Sequence, residues 1–239
     1  MMSQTSRSHD RFATTRWSMA VRFLEEKLPM ARDALAELGA RFRYPTYVYA
    51  RRHGRSPATA SSLVRRLLHD IEDQPGMVAG RDYRRFLLEK LATLIEQPET
   101  DPVESTTQDA DTDADLESQY QSDQPSFFGP PEAAFRRSFA LVVLRRSLRR
   151  LREEAASTGH IDMFRALEPF LAREPPAADF ERIALALQIR HVTVALALKR
   201  LRQRLHQLAA EELADTVCNV EDLAREQQAM LAALAEQGK

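Results

Sequence analysis

"FERIALALQIRHVTVALALKRLRQRL", residues 180–205, is the stretch on which the reading of this chain turns. Apolar residues recur at three- and four-residue spacing on both sides of "LQIR", so two helices should meet there at a tight turn. Counted from Val192 at about 100° per residue, Val194, Leu198, Leu201 and Leu205 gather on one side, which is expected to pack inward. Val192, Ala195, Leu196, Lys199 and Gln203 gather opposite, with Thr193 and Arg200 beside them and Arg190 and His191 at the turn. Paired helices of this shape can enter a groove of DNA. The candidate DNA-contacting residues are then Arg190, His191, Thr193, Lys199, Arg200 and Arg202, with arginine and lysine on phosphates and the apolar side chains near thymine methyls. An outward apolar patch suits a protein contact equally well.

The rest of the chain points to an all-α fold. It has 239 residues, only seven glycines, and a predominance of Ala, Leu, Arg and Glu, a composition that favours helix. One cysteine, Cys218, excludes an internal disulfide framework and fits a reducing compartment. The first residues are polar, with no run suited to a signal peptide or a membrane span, so a cytoplasmic protein without a membrane partner is expected.

Charge divides the chain into three. Residues 1–98 carry 17 Lys/Arg against 11 Asp/Glu, residues 99–132 carry ten acids and no base, and residues 133–239 carry 17 against 14. The middle stretch, "PETDPVESTTQDADTDADLESQYQSDQPSFFGPP", is poor in aliphatics and is expected to be a disordered acidic linker. A tether this acidic has the charge to fold back over a basic face of either half. Its "DADTDAD" run fails as a calcium loop, because Ala114 and Tyr120 stand where Gly and Glu are required. The expected organisation is two small helical domains, 1–97 and 132–239, joined by a linker over 98–131, the second domain containing the helix-turn-helix.

In the first half, Trp17, Phe23, Leu35, Leu38 and Phe42 are candidate core residues among four or five short helices. Ser56 and Pro57 form a helix start, followed by Leu63, Leu67, Leu68 and Ile71 at helical spacing. In the second half a long helix places Phe135, Phe139, Val142 or Val143 and Leu148 on one stripe, and Asn219 caps a last amphipathic helix. Phosphate-binding glycine loops, H-E-x-x-H and C-x-x-C are all missing from the sequence. The expectation is a non-enzyme with no catalytic residues, no metal and no cofactor.

Several segments in order resemble the extracytoplasmic-function sigma factors that begin with an F-A-T-T-R-W-S signature. They are "RFATTRWSMAV" (11–21), "ALAELGARFRYPTYVYARRHGRSP" (34–57), "YRRFLLEKLATLI" (83–95), "PEAAFRRSFALVVLRRSLRRLREE" (131–154), "MFRALEPFLA" (163–172) and residues 179–217. The resemblance implies that the first domain grips core RNA polymerase and melts the −10 element, and that the second reads the −35 element. Core polymerase, promoter DNA and a regulatory protein are the implied partners. Tyr83, Arg84 and Arg85 are then candidates for −10 or phosphate contacts. Two departures stand out. After the S-P turn, Ala58, Thr59 and Ser62 replace expected acids and Arg66 reverses a charge; and the helix ending at "IEQPETD" leads into acid where the family carries aromatic and basic residues. The alternative expectation is a degenerate sigma-fold adaptor that works through protein–protein contacts without promoter melting.

Overall fold

The structure, a computed structural model, describes residues 30–73, 83–97, 107–217 and 220–235. Among these residues there are nine α-helices and no strand, as the composition leads one to expect. They are α1 (Met30–Arg52), α2 (Pro57–Asp73), α3 (Tyr83–Glu96), α4 (Thr107–Asp123), α5 (Pro131–Ser157), α6 (Ile161–Leu167), α7 (Ala177–Ala186), α8 (His191–Ala214) and α9 (Val220–Ala235). The signature at 11–21, Trp17, Phe23, Cys218 and Asn219 lie outside the described residues.

The chain divides into two compact units, residues 1–143 with 213–239, and residues 144–212. The expected division differs. It assigned 132–143 and 213–239 to the second domain, whereas the first part of α5 and all of α9 belong with the N-terminal helices. The reason lies in aromatic packing: Phe42 of α1, fully buried, stacks on Phe139 of α5 at 4.7 Å and meets Phe135 at 6.4 Å and Tyr83 of α3 at 5.1 Å. Arg84 reaches Glu226 of α9 at 2.6 Å, and Arg137 donates to the carbonyl of Ala233 at 2.5 Å near the end of α9.

Helix α1 is long, not short. It continues through Pro45, whose missing N–H and ring clash cost a helix interior about 3 kcal/mol. The burial of Tyr44, Tyr47, Val48 and Ala50 around and beyond the proline holds it together. It ends in a Schellman closure, with Gly54 N–H donating to the Arg51 carbonyl (3.0 Å) and Arg55 N–H to Ala50 (3.2 Å). Gly54 sits at φ +79°, and a Cβ there would meet nothing within 4 Å, so backbone conformation alone selects glycine. Ser56 then caps α2 as expected, its Oγ accepting from the Thr59 N–H at 3.1 Å.

The acidic linker is the main correction. Residues 98–106 lie outside the description, but Thr107–Asp123 is α-helix, followed by a 3₁₀ turn over Gln124–Ser126. Leu116, Tyr120 and Phe127 are buried in one cluster with Tyr44, Tyr47, Val48, Val64 and Leu68 of α1 and α2. The acids meet basic and hydroxyl partners: Asp113 pairs with Arg65 (2.6 Å), Glu117 with Arg51 (3.2 Å), and Asp123 accepts from the Tyr44 hydroxyl (2.7 Å). Tyr47 donates to Glu117 and stands edge-on to Tyr120 at 6.2 Å. Three apolar side chains and four polar partners order a segment whose composition alone predicts disorder.

The second unit is built on α5, α6, α7 and α8. Leu151, Ala155, Phe164 and Leu208 form one buried cluster; Leu167, Phe170, Ile183, Ala184, Val194 and Leu198 form the other. Helices α7 and α8 are joined by residues 187–190.

Candidate nucleic-acid interface

The turn between α7 and α8 is fixed by its backbone. Gln188 N–H donates to the Leu185 carbonyl (3.2 Å) and Ile189 N–H to Ala184 (3.0 Å), the same Schellman closure that ends α1. Gln188 takes the left-handed position at φ +53°, where a side chain other than glycine is strained. Ile189 tucks against the Ile183–Ala184 cluster and so fixes the direction in which the chain enters α8.

The inward stripe of α8 lies where the helical period puts it. Val194 and Leu198 are buried, and Leu201 and Leu205 are half-buried against the two cores. On the other side Val192 is 65% and Leu196 51% exposed. Thr193, Ala195, Lys199, Arg200 and Gln203 are exposed with them, as is Arg190 in the turn. His191 is exposed too, but its ring rests 5.1 Å from that of Phe180. A hollow of about 360 Å³ beside this face is lined by Phe180, Ala195, Lys199 and Gln203, with the exposed carboxylate of Glu174 on its edge. Leu185, 80% exposed on α7, adds an apolar side chain that the sequence reading overlooked. It falls about 200° round the helix from buried Ile183, which is the signal that could have found it.

No Asp or Glu occurs between Glu181 and Glu211. Among the described residues, Arg190, Lys199 and Arg200 have no carboxylate partner. Arg202 differs from them. It is half-buried, donates to the carbonyls of Phe170 (2.9 Å) and Arg173 (2.6 Å) and pairs with Glu174, so it clamps the 170–174 segment instead of standing ready for phosphate. The other arginines of this unit are likewise engaged. Arg204 forks onto Glu154 (2.6 and 2.8 Å), which holds the Glu154 carboxyl below its usual range and pushes Arg204 up. Arg146 (2.8 Å) and Arg150 (3.0 Å) converge on Glu212, 5% exposed, and Arg152 forks onto Glu168. Arg146, Arg150 and Arg152 of α5 are thus committed to carboxylates.

The second group of candidates fares differently. Tyr83 is fully buried against Phe42 and cannot offer its ring to a base. Arg84 is held by Glu226, and Arg85, 81% exposed, pairs along its own helix with Glu89 (2.9 Å). These residues do not come together as an open aromatic–basic site. On α2, Ala58 is exposed and Thr59 and Ser62 are half-buried; Arg66 donates to Gln97 at 2.7 Å.

Among the described residues, no helix is long and apolar enough to cross a membrane, and no group of three or more His, Cys, Asp or Glu is placed to hold a metal. No protein-family model, no curated protein and no solved structure matches this chain.

Proposed function

We propose that this chain is a sigma-factor-like transcription regulator whose α7–turn–α8 is a helix-turn-helix bound to promoter DNA, and that it joins core RNA polymerase to start transcription. One observation carries the DNA contact: Arg190, Lys199 and Arg200 stand exposed without carboxylates around the outward face of α8, while Arg146, Arg150, Arg152, Arg202 and Arg204 are all engaged. Cations left uncompensated around the start of one helix are what a polyanion needs. In this reading α1–α3 take the part of the polymerase-binding domain and α6–α8 that of the −35 reader. The order of the sequence segments supports the polymerase part of the proposal.

Duplex binding by the full chain, measured over a salt series, tests the DNA contact. Replacing Arg190, Lys199 and Arg200 together by alanine should lower the slope of log K against log salt by about 3, one phosphate per cation. An unchanged slope would remove α8 from the interface. The polymerase contact is tested by co-purifying tagged protein with core polymerase from its host at moderate salt.

A second reading, the sigma-fold adaptor acting through protein contacts, is favoured by the surface of α2, where Ala58, Thr59, Ser62 and Arg66 offer a basic clamp no acid. Like-charge contact at Arg66 costs affinity for such a partner. A folded protein that recovers no polymerase supports this second reading.

A further inference from the structure

We infer that the outward face of α8 selects its duplex by the C5-methyl groups of thymine, with Val192, Ala195 and Leu196 as the reading surface; this rests on the DNA contact proposed above. Base-reading helices more often present amides and guanidiniums at their first turns. Here the first two turns present apolar side chains, Val192 and Leu196 being one turn apart on the same face and both more than half exposed. Neither is needed by the core, because Val194 and Leu198 fill the inward positions. Apolar side chains cannot discriminate donors from acceptors on a base edge. Among the groups displayed in the major groove, the thymine methyl is the one they can recognise by burial.

The placement of charge fits a helix lying in that groove. Lys199 and Arg200 lie seven and eight residues beyond Val192, roughly 10–12 Å along the axis, comparable with the width of the groove of about 12 Å. They can meet a phosphate wall while the first turns face the bases. Arg190, in the turn before α8, is placed for the other strand. Two acids of this region are already paired, Glu174 with Arg202 and Asp179 with Arg182. Charge complementarity therefore commits the surface to a polyanion, and the apolar centre commits it to a methyl-bearing one.

The test begins with selection of duplexes from a random-sequence pool by the full chain. The enriched duplex is then synthesised with thymine and with deoxyuridine, which keeps every hydrogen-bonding group and removes only the methyl. Losing one buried methyl should weaken binding about fourfold, and losing two roughly fifteenfold. The exposed substitution Leu196→Ser should abolish most of the difference between the two duplexes, while Arg200→Ala should weaken both by the same factor. Equal affinity for the thymine and uracil duplexes overturns methyl reading and leaves DNA binding standing. A difference that survives intact in both Leu196→Ser and Val192→Ser overturns the assignment to this patch. Enrichment of no duplex overturns the inference together with the DNA contact on which it rests.

Discussion

Helix α4 and the first turns of α8 each lie in a segment of single charge sign. Residues 107–123 contain six acids and no Lys or Arg; residues 182–210 contain six Lys/Arg and no acid. In α4 half of the charge is absorbed: Asp113, Glu117 and Asp123 each face a cation or a phenol, and Leu116 and Tyr120 are buried between them. At the start of α8 it is not absorbed, and Val192 and Leu196 stay in solvent beside Lys199 and Arg200. The difference shows that a charged tract becomes structural when its few apolar residues share a face with its counter-charges. It remains available for a partner when its apolar residues fall on the side away from the core.

The largest expected effect comes from breaking the first case. Leu116→Ala should destabilise the first unit by about 3 kcal/mol, because it opens a cavity against Tyr47, Val48 and Val64. Urea denaturation checks this, and a midpoint identical to that of the unchanged chain would return α4 to the role of a tether. Asp115→Ala, on the exposed side of the same helix, is the control and should move the midpoint little.

This contrast also marks what the sequence made legible. The inward stripe of α8 could be read because Val194, Leu198, Leu201 and Leu205 keep helical phase through the whole run. The cap at Ser56 could be read because it has a local chemical reason. The place of α4 could not. Two large apolar residues among 17 give almost no periodic signal, and their complement lies far away, with Tyr44 and Tyr47 70 to 79 positions earlier in the chain. Arg202 looked like its neighbours in sequence, and only the position of the 170–174 carbonyls separates it from Arg200. The candidate site was therefore legible in outline, while which cations were already spoken for was not.

The ion pairs of α4 also give a pH signature. Burial opposes the charge on Glu117, but hydrogen bonds from Tyr47 and Gln121 and the nearby Arg51 outweigh it, so its carboxyl lies below the usual 4.5. Its contribution to stability is present above that value and is lost as the pH falls through the lower folded one. Tyr47 has the opposite sign. Burial first, then Glu117, pushes its hydroxyl above the usual 10, so its contribution is present below pH 10 and is lost as the pH rises through the higher folded value. Thermal unfolding across pH should therefore lose stability at both ends. Glu117→Gln should flatten the acid limb; an acid limb identical in both proteins would locate the effect elsewhere.

A smaller effect is expected at the turn that aims α8. The same closure ends α1 and α5 with Gly54 and Gly159 at φ +79° and +75°, but between α7 and α8 it uses Gln188 at +53°. Gln188→Gly should raise stability by about 0.5–1 kcal/mol, since relief of left-handed strain exceeds the added chain entropy of glycine. A loss of stability would mean that the Gln188 side chain contributes a contact larger than the strain.

The smallest expected change in stability is the most informative about the second segment. Arg200→Ala and Leu196→Ser both alter exposed side chains that the core does not use, so each should stay within about 0.5 kcal/mol of the unchanged chain. Arg202→Ala, two residues further on, strips three partners from one guanidinium and should cost more, about 1–2 kcal/mol. If Arg200→Ala proved as costly as Arg202→Ala, the first turns of α8 would be holding the fold together as α4 does, and the free charge on which the DNA contact depends would be lost. If only Arg202→Ala is costly, α8 divides between Arg200 and Arg202 into a part that faces a partner and a part that secures the second unit.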